Sequence, residues 1–156
     1  MDSATLRGAR AVGILCALLL IAPIGITLAF PSAFLYEPYH APYQRMLGAL
    51  LLGLGLGLLL ALRDPARNAG VFAVIGLAVG SLMAAIAYTL LVDGADPVHW
   101  VVQVPILAAV AMALVVTYTR LRRPHAVVVR IVAAAVLLTP FGLYLYDVAY
   151  KAFVAR

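Results

Sequence analysis

Apolar residues form five long runs along the chain, separated by short segments that hold most of the polar residues. The runs cover residues 11–30, 46–62, 71–92, 98–119 and 126–146. A helix needs roughly 20 apolar residues to cross the hydrocarbon of a bilayer, and these runs are close to that length. The runs are continuous and do not alternate between apolar and polar residues, as the strands of a membrane barrel would. The pattern predicts an all-α integral membrane bundle with five transmembrane helices in a single domain, residues 1–156.

The second and third runs are joined by the turn Arg63-Asp64-Pro65-Ala66-Arg67. Because this turn is very short, the two helices that it connects must run antiparallel. Its charges predict that it lies at a face of the membrane. This hairpin is the part of the chain around which the remaining helices are expected to pack.

The first run allows two interpretations. Arg7 and Arg10 precede it, as basic residues precede the apolar centre of a signal peptide. The run is longer than a usual signal sequence, however, and its best cleavage motif, Thr27-Leu28-Ala29, is a poor one. We therefore expect an uncleaved first span, and cleavage would leave four transmembrane helices in the same orientation.

Composition supports the membrane assignment and gives an orientation. The chain is 66% hydrophobic and 11% charged, with a net charge of +5, which is far from the composition of soluble domains. Basic residues are concentrated in the segments before the first run, between the second and third runs, and between the fourth and fifth runs. The positive-inside rule then predicts a bacterial cytoplasmic membrane protein with its N-terminus in the cytoplasm and its C-terminus in the periplasm or outside. Since topology explains these charges, nucleic acid is not expected as a partner.

Two stripes of small residues predict close helix packing. Gly53 and Gly57 are four residues apart in the second run, and Gly76 and Gly80 have the same spacing in the third. In lipid, helices associate by close packing of small residues because there is no hydrophobic drive between them. We expect the two stripes to face each other, or one of them to face a partner chain.

Carboxylate and imidazole groups in two predicted outer segments form a candidate metal site. Glu37 and His40 lie between the first and second runs, and Asp96 and His99 lie around the start of the fourth. Such groups bind zinc-type ions, but these four lack a tight ligand spacing. The alternative is that they are ordinary interface and helix-capping residues.

Other chemistry is poorly supported by the sequence. No Asp, Glu, Lys or His lies near the middle of any run, whereas proton pumps and transporters usually place ionisable groups there. No combination of nucleophile, base and orienting group indicates an enzyme, and the sequence does not identify a cofactor. Three arginines that follow the fourth run, Arg120, Arg122 and Arg123, are candidates for contact with anionic lipid headgroups. The positive-inside rule explains their position equally well.

The central hairpin resembles that of small bacterial membrane proteins of the DoxX-like group and related uncharacterised families. The similar pattern is a Gly-rich span from Leu47 to Leu62, the turn that begins Arg63-Asp64-Pro65, and a Gly- and Ala-rich span that ends at Asp93-Gly94. The resemblance covers about residues 44–118. It implies a four-helix bundle, many members of these families have no assigned activity, and the fifth run departs from the pattern.

These observations favour a non-catalytic subunit that packs against other membrane proteins, for example in a respiratory or photosynthetic complex. Its expected partners are membrane lipids and either other transmembrane proteins or further copies of itself. One alternative is a small protein that binds or transports a lipid-like or apolar molecule. A second alternative is a metal-dependent enzyme acting at the outer face through Glu37, His40 and His99.

Overall fold

A computed structural model describes residues 2–29, 41–93 and 97–155, and in these residues all regular structure is α-helical. The five predicted helices are present. Their bounds are Ser3–Ala29 (α1), Ala41–Ala61 (α2), Ala69–Asp93 (α3), Pro97–Arg122 (α4) and Ala126–Val154 (α5). The prediction of an all-α helical membrane bundle is therefore confirmed.

Four of the helices, α1, α3, α4 and α5, are long and apolar enough to cross a membrane. The apolar part of α2 is the shorter segment Arg45–Ala61. By length and composition the described chain therefore supplies four membrane-spanning helices, with α2 as a shorter apolar helix beside them. The fold identifies the chain as a membrane protein.

Helices α1 and α5 extend farthest beyond the apolar runs that predicted them. Helix α1 begins at Ser3 instead of residue 11, and α5 continues to Val154 instead of ending at residue 146. At 1.5 Å per residue, the 29 residues of α5 reach about 43 Å, which exceeds the roughly 30 Å hydrocarbon thickness. Hydropathy marks the part of a helix that suits hydrocarbon, whereas backbone hydrogen bonding continues the helix into the headgroup region.

The first four helices form a ring in which α1 packs on α2, α2 on α3, α3 on α4, and α4 on α1. The contact between α3 and α4 is the most extensive, and that between α2 and α3 is the least extensive of the four. The turn at residues 62–68, the start of α1 and the connection between α4 and α5 all lie at one end, which we call the basic end.

Apolar side chains from all four helices of the ring meet in one core. Phe72, Leu58 and Leu114 are among its largest fully buried side chains. The remaining buried members of this core are Cys16, Ala17, Leu20, Ile75, Val79 and Val110. Because the lipid-facing surface is as apolar as the core, close packing must specify this arrangement.

Hydrogen bonds close the basic end of the hairpin between α2 and α3. The Asp64 carboxylate accepts a bond from the backbone N–H of Arg67 at 3.1 Å, and the Asn68 amide donates to the Ala61 carbonyl at 3.4 Å. The Arg10 guanidinium donates to the Leu62 carbonyl at 3.3 Å. The Asn68 and Arg10 bonds satisfy carbonyls that the end of α2 leaves without helical partners, and the Arg10 bond places the start of α1 beside the turn.

Helix α5 lies outside the ring and packs on α3. None of its residues is fully buried. Its partly buried residues follow a three- and four-residue spacing that forms one seam against α3: Val129, Val132, Val136, Thr139, Pro140, Leu143 and Asp147. The other described positions of α5 are exposed, and most of the helix surface is therefore open to lipid or to a partner.

Candidate functional site

The glycine stripe of α3 lies at a helix contact inside the chain. A Cβ atom at Gly76 would lie 3.0 Å from a methyl group of Val115 and 3.3 Å from the Ala111 carbonyl oxygen. At Gly80 a Cβ atom would lie 3.4 Å from Val136 of α5. The stripe lets α3 approach α4 and α5 closely, which accounts for the extensive contact between α3 and α4.

The glycine stripe of α2 does not face that of α3, and the expectation that they face each other is wrong. A Cβ atom at Gly53 or Gly57 would meet nothing within 4 Å. The physical reason is that α2 packs mainly on α1 while α3 packs mainly on α4, so the hairpin helices share only a small contact. Gly53 and Gly57 leave an open face on α2.

Two other glycines, Gly13 and Gly55, bring α1 and α2 together. A Cβ atom at Gly55 would lie 2.6 Å from Ile21 and 3.2 Å from the Ala17 carbonyl oxygen, and one at Gly13 would overlap Leu62. The four-residue spacing rule missed this pair because the two glycines lie on different helices. Only the register between α1 and α2 shows that Gly55 receives Ile21 of α1 and that Gly13 receives Leu62, the residue that follows α2.

The predicted metal residues do not form a described site. Glu37, His40 and Asp96 lie outside the described residues, and so does the side chain of His99. Within the described part of the chain, no group of three His, Cys, Asp or Glu residues is placed to hold a metal ion.

The arginine cluster predicted to contact lipid headgroups lies at the end of α4. Arg120, Arg122 and Arg123 are all exposed. Arg123 has a positive φ of 46°, and its backbone N–H donates to the Thr119 carbonyl at 2.9 Å. The cluster therefore includes the residue that ends α4, and it marks the basic end of the bundle.

A polar contact that the sequence did not reveal joins α3 to α5. The Tyr88 hydroxyl donates a 2.7 Å hydrogen bond to the Asp147 carboxyl group. The predicted fifth span ended one residue before Asp147, which assigned this residue to a tail. Because α5 continues as a helix to Val154, Asp147 instead occupies the last position of the seam on α3.

Gln103 is a second polar group at a helix contact. It precedes Leu107, Val110 and Leu114 at heptad-like spacing, which places it on the face of α4 that contributes to the core. Its side-chain oxygen is buried and accepts no hydrogen bond from a described residue. Unlike the Gln103 oxygen, the hydroxyl groups of Thr117 and Thr139 are hydrogen-bonded, because each donates to a carbonyl of its own helix.

The exposed side of α5, opposite its seam on α3, carries small and large residues in a regular order. Ala135, Gly142 and Ala149 recur every seven residues, and all three are exposed. Ile131, Leu138 and Leu145 alternate with them and are exposed by 64%, 61% and 51%. Space remains at the centre of this face, because a Cβ atom at Gly142 would meet nothing within 4 Å. We call these six residues the outer stripe of α5.

Two adjoining, shallow and widely open hollows lie on the surface near the basic end, the larger on the turn and α3 and the smaller between α2 and α3. The larger has a volume of about 390 Å³ and is lined by Arg67, Asn68, Gly70, Val71 and Val74. The smaller, of about 200 Å³, shares Asn68 and Val71 and is otherwise lined by Gly57, Leu60 and Ala61. Both are open to the surface, and together they form a groove, which we call the α2–α3 groove.

Comparison with known proteins gave no family assignment. No protein-family model matches the chain, and neither the curated proteins nor the solved structures contain a significant match. The resemblance of the central hairpin to DoxX-like proteins therefore stays a prediction.

Proposed function

We propose that this protein is a non-catalytic subunit of the bacterial cytoplasmic membrane that packs against other transmembrane proteins. The observation that carries the proposal is the outer stripe of α5. A helix that contacts its own bundle along a single seam contributes little to holding that bundle together. Its length and regular outer face are explained if a second helix packs there.

The order of residues in the outer stripe supports a helix as the partner. Small residues spaced at Ala135, Gly142 and Ala149 allow the backbone of a neighbouring helix to approach closely. The leucines between them, Leu138 and Leu145, would fill the spaces on either side of that backbone. A surface that meets only lipid needs no such alternation, because fluid chains adapt to any apolar shape.

The orientation that we propose has the basic end in the cytoplasm. The turn with Arg63 and Arg67 and the cluster at Arg120, Arg122 and Arg123 then both lie inside, as the positive-inside rule requires. The test uses single cysteines placed at residue 66 or residue 155 in a Cys16→Ser background. A membrane-impermeant thiol reagent added to whole cells should label position 155 and leave position 66 unlabelled.

The proposal is tested by purifying the tagged protein from its native membrane in a mild detergent and identifying co-purifying proteins by mass spectrometry. We expect one or more transmembrane proteins in stoichiometric amounts. Gly142→Ile should reduce their recovery at least tenfold, since a branched side chain at the centre of the outer stripe blocks close approach.

Ala133→Ile is the matched control, because Ala133 is also exposed on α5 but lies on the side of the helix opposite Gly142. It should leave recovery of the partner unchanged. Purification of the wild-type protein without any other membrane protein would contradict the proposal, as would equal losses in the two variants. Recovery as a complex of identical chains would replace the accessory role with self-association.

A further inference from the structure

The α2–α3 groove combines an apolar floor with a basic residue at one end. Leu60 on α2 lines the smaller hollow and Val74 on α3 lines the larger, and their side chains are exposed by 78% and 64%; Val71 lines both hollows. The Arg67 side chain borders the end of the groove nearest the turn and is exposed. A shallow, mainly apolar surface that begins at a cation matches a molecule with an anionic head and a hydrocarbon tail.

Two glycines without side chains keep the surface of the groove low. Gly57 on α2 and Gly70 on α3 both line it, and a Cβ atom at either position would meet nothing within 4 Å. Gly53, one turn farther from the basic end, is exposed and equally open. The face of α2 that lacks side chains therefore continues from Gly57 to Gly53, away from Arg67. This is the direction in which a lipid chain would extend into the bilayer.

The turn holds the basic end of the groove in a fixed shape. Asn68 borders both hollows, and its amide ties the start of α3 to the Ala61 carbonyl. Asp64 fixes the backbone of Arg67 and is the carboxylate nearest to it in the chain. The turn also carries Arg63, and the Arg10 side chain donates to the Leu62 carbonyl, so positive charge predominates at this end of the bundle, although Arg67 alone of these arginines lines the groove.

We propose that the α2–α3 groove binds one anionic phospholipid, with the phosphate at Arg67 and an acyl chain lying along Gly57 between Leu60 and Val74. Basic sites between membrane helices on the cytoplasmic side are suited to anionic headgroups, since anionic lipids are abundant in that leaflet. A lipid here would fill the space that α2 and α3 leave by packing on different helices. This inference does not depend on a protein partner, because the groove and the outer stripe lie on different helices.

The experiment titrates the full-length protein in detergent with phosphatidylglycerol or phosphatidylcholine and counts bound lipids by native mass spectrometry. One phosphatidylglycerol molecule should bind tightly, whereas phosphatidylcholine should show no tight site. Arg67→Gln should weaken the tight site about fivefold, the effect expected of one basic residue near a membrane surface. Gly57→Leu keeps every charge but fills the floor of the groove, and it should remove the tight site.

Arg122→Gln is the matched control, since it removes an exposed arginine from the same end but not from the groove. It should retain the tight site. Equal weakening by Arg67→Gln and Arg122→Gln would overturn the proposal in favour of general attraction to the basic end. Displacement of the lipid by millimolar inorganic phosphate would also overturn it, because the acyl chain would then contribute nothing. Thermal unfolding of each variant verifies folding, and Leu at position 57 suits a helix better than Gly.

Discussion

Tyr88 and Asp147 join α3 and α5 through a 2.7 Å hydrogen bond near the end opposite the basic turn. Asp147 is the last partly buried residue of the α5 seam, and the earlier members of that seam are mostly apolar. Apolar packing alone allows α5 to slide or rotate on α3 at little cost. A directional bond between two side chains fixes the register of α5.

Removing this bond should weaken the attachment of α5. We expect Tyr88→Phe to lower the free energy of unfolding by about 1–2 kcal/mol, in the range of interhelical hydrogen bonds in membrane proteins. The measurement is sodium dodecyl sulfate titration of the protein in mixed micelles, followed by circular dichroism. Tyr146→Phe is the control, since Tyr146 is exposed on α5 and stacks on Tyr150 with ring centroids 6.4 Å apart.

A double-mutant cycle separates the bond from other contacts of the tyrosine. The variants are Tyr88→Phe, Asp147→Ala and the two combined. If the bond links the helices, the second substitution should cost less once the first has been made, with a coupling of about 0.5–1.5 kcal/mol. Strictly additive losses would show that the two residues act independently.

Two glycines on the same helix provide a matched test of packing. Gly55→Ala should destabilise the protein by about 1–2 kcal/mol, because its Cβ would lie 2.6 Å from Ile21 and the overpacking cost exceeds the gain in helix propensity. Gly53→Ala makes the same chemical change where nothing lies within 4 Å. It should be neutral or stabilise the helix by up to about 1 kcal/mol. The same detergent titration measures both, and the reverse order would contradict the placement of α2 on α1.

The number and order of the helices could be predicted from the sequence because hydropathy responds directly to the membrane. The outer limits of α1 and α5 could not, since charged residues such as Arg10 and Asp147 end an apolar run without ending a helix. Because the end of the apolar run assigned Asp147 to a tail, its bond to Tyr88 could not be predicted either. The two residues are 59 positions apart, and only the packing of α5 on α3 brings them together.

Which helices pack against each other was harder to predict than where the helices lie in the sequence. Gly53 and Gly57 have the spacing of a packing motif but lie on an open face, whereas Gly55 lies against Ile21. A spacing rule identifies a face that permits close approach without identifying what approaches it. In water, burial of apolar area would select the inward face, but in lipid both faces of a helix are apolar and this signal is lost.

The start of α5 depends on a histidine cap. The Nδ1 atom of His125 accepts a 3.3 Å hydrogen bond from the backbone N–H of Val127, one of the donors that a helix start leaves unpaired. His125→Ala should cost about 1 kcal/mol, whereas His125→Asn should retain most of the stability because asparagine is a strong cap. Hydrogen exchange in the first turn of α5 is the direct measurement. Equal protection in all three proteins would show that the cap contributes nothing.

The end of α4 contains the one described residue other than glycine that has a positive φ, Arg123. At φ 46° a side chain crowds its own backbone, and a non-glycine residue costs about 1–2 kcal/mol in this region. Glycine is the usual residue at this position of a helix terminus, where the N–H bonds back to the last turn, as it does here to Thr119 at 2.9 Å. Arg123→Gly should therefore raise the free energy of unfolding by about 1 kcal/mol. Arg122→Gly removes the same charge from the last helical residue and should lower stability by a similar amount. Two losses of similar size would mean that the charge at the basic end, and not backbone strain, governs both variants.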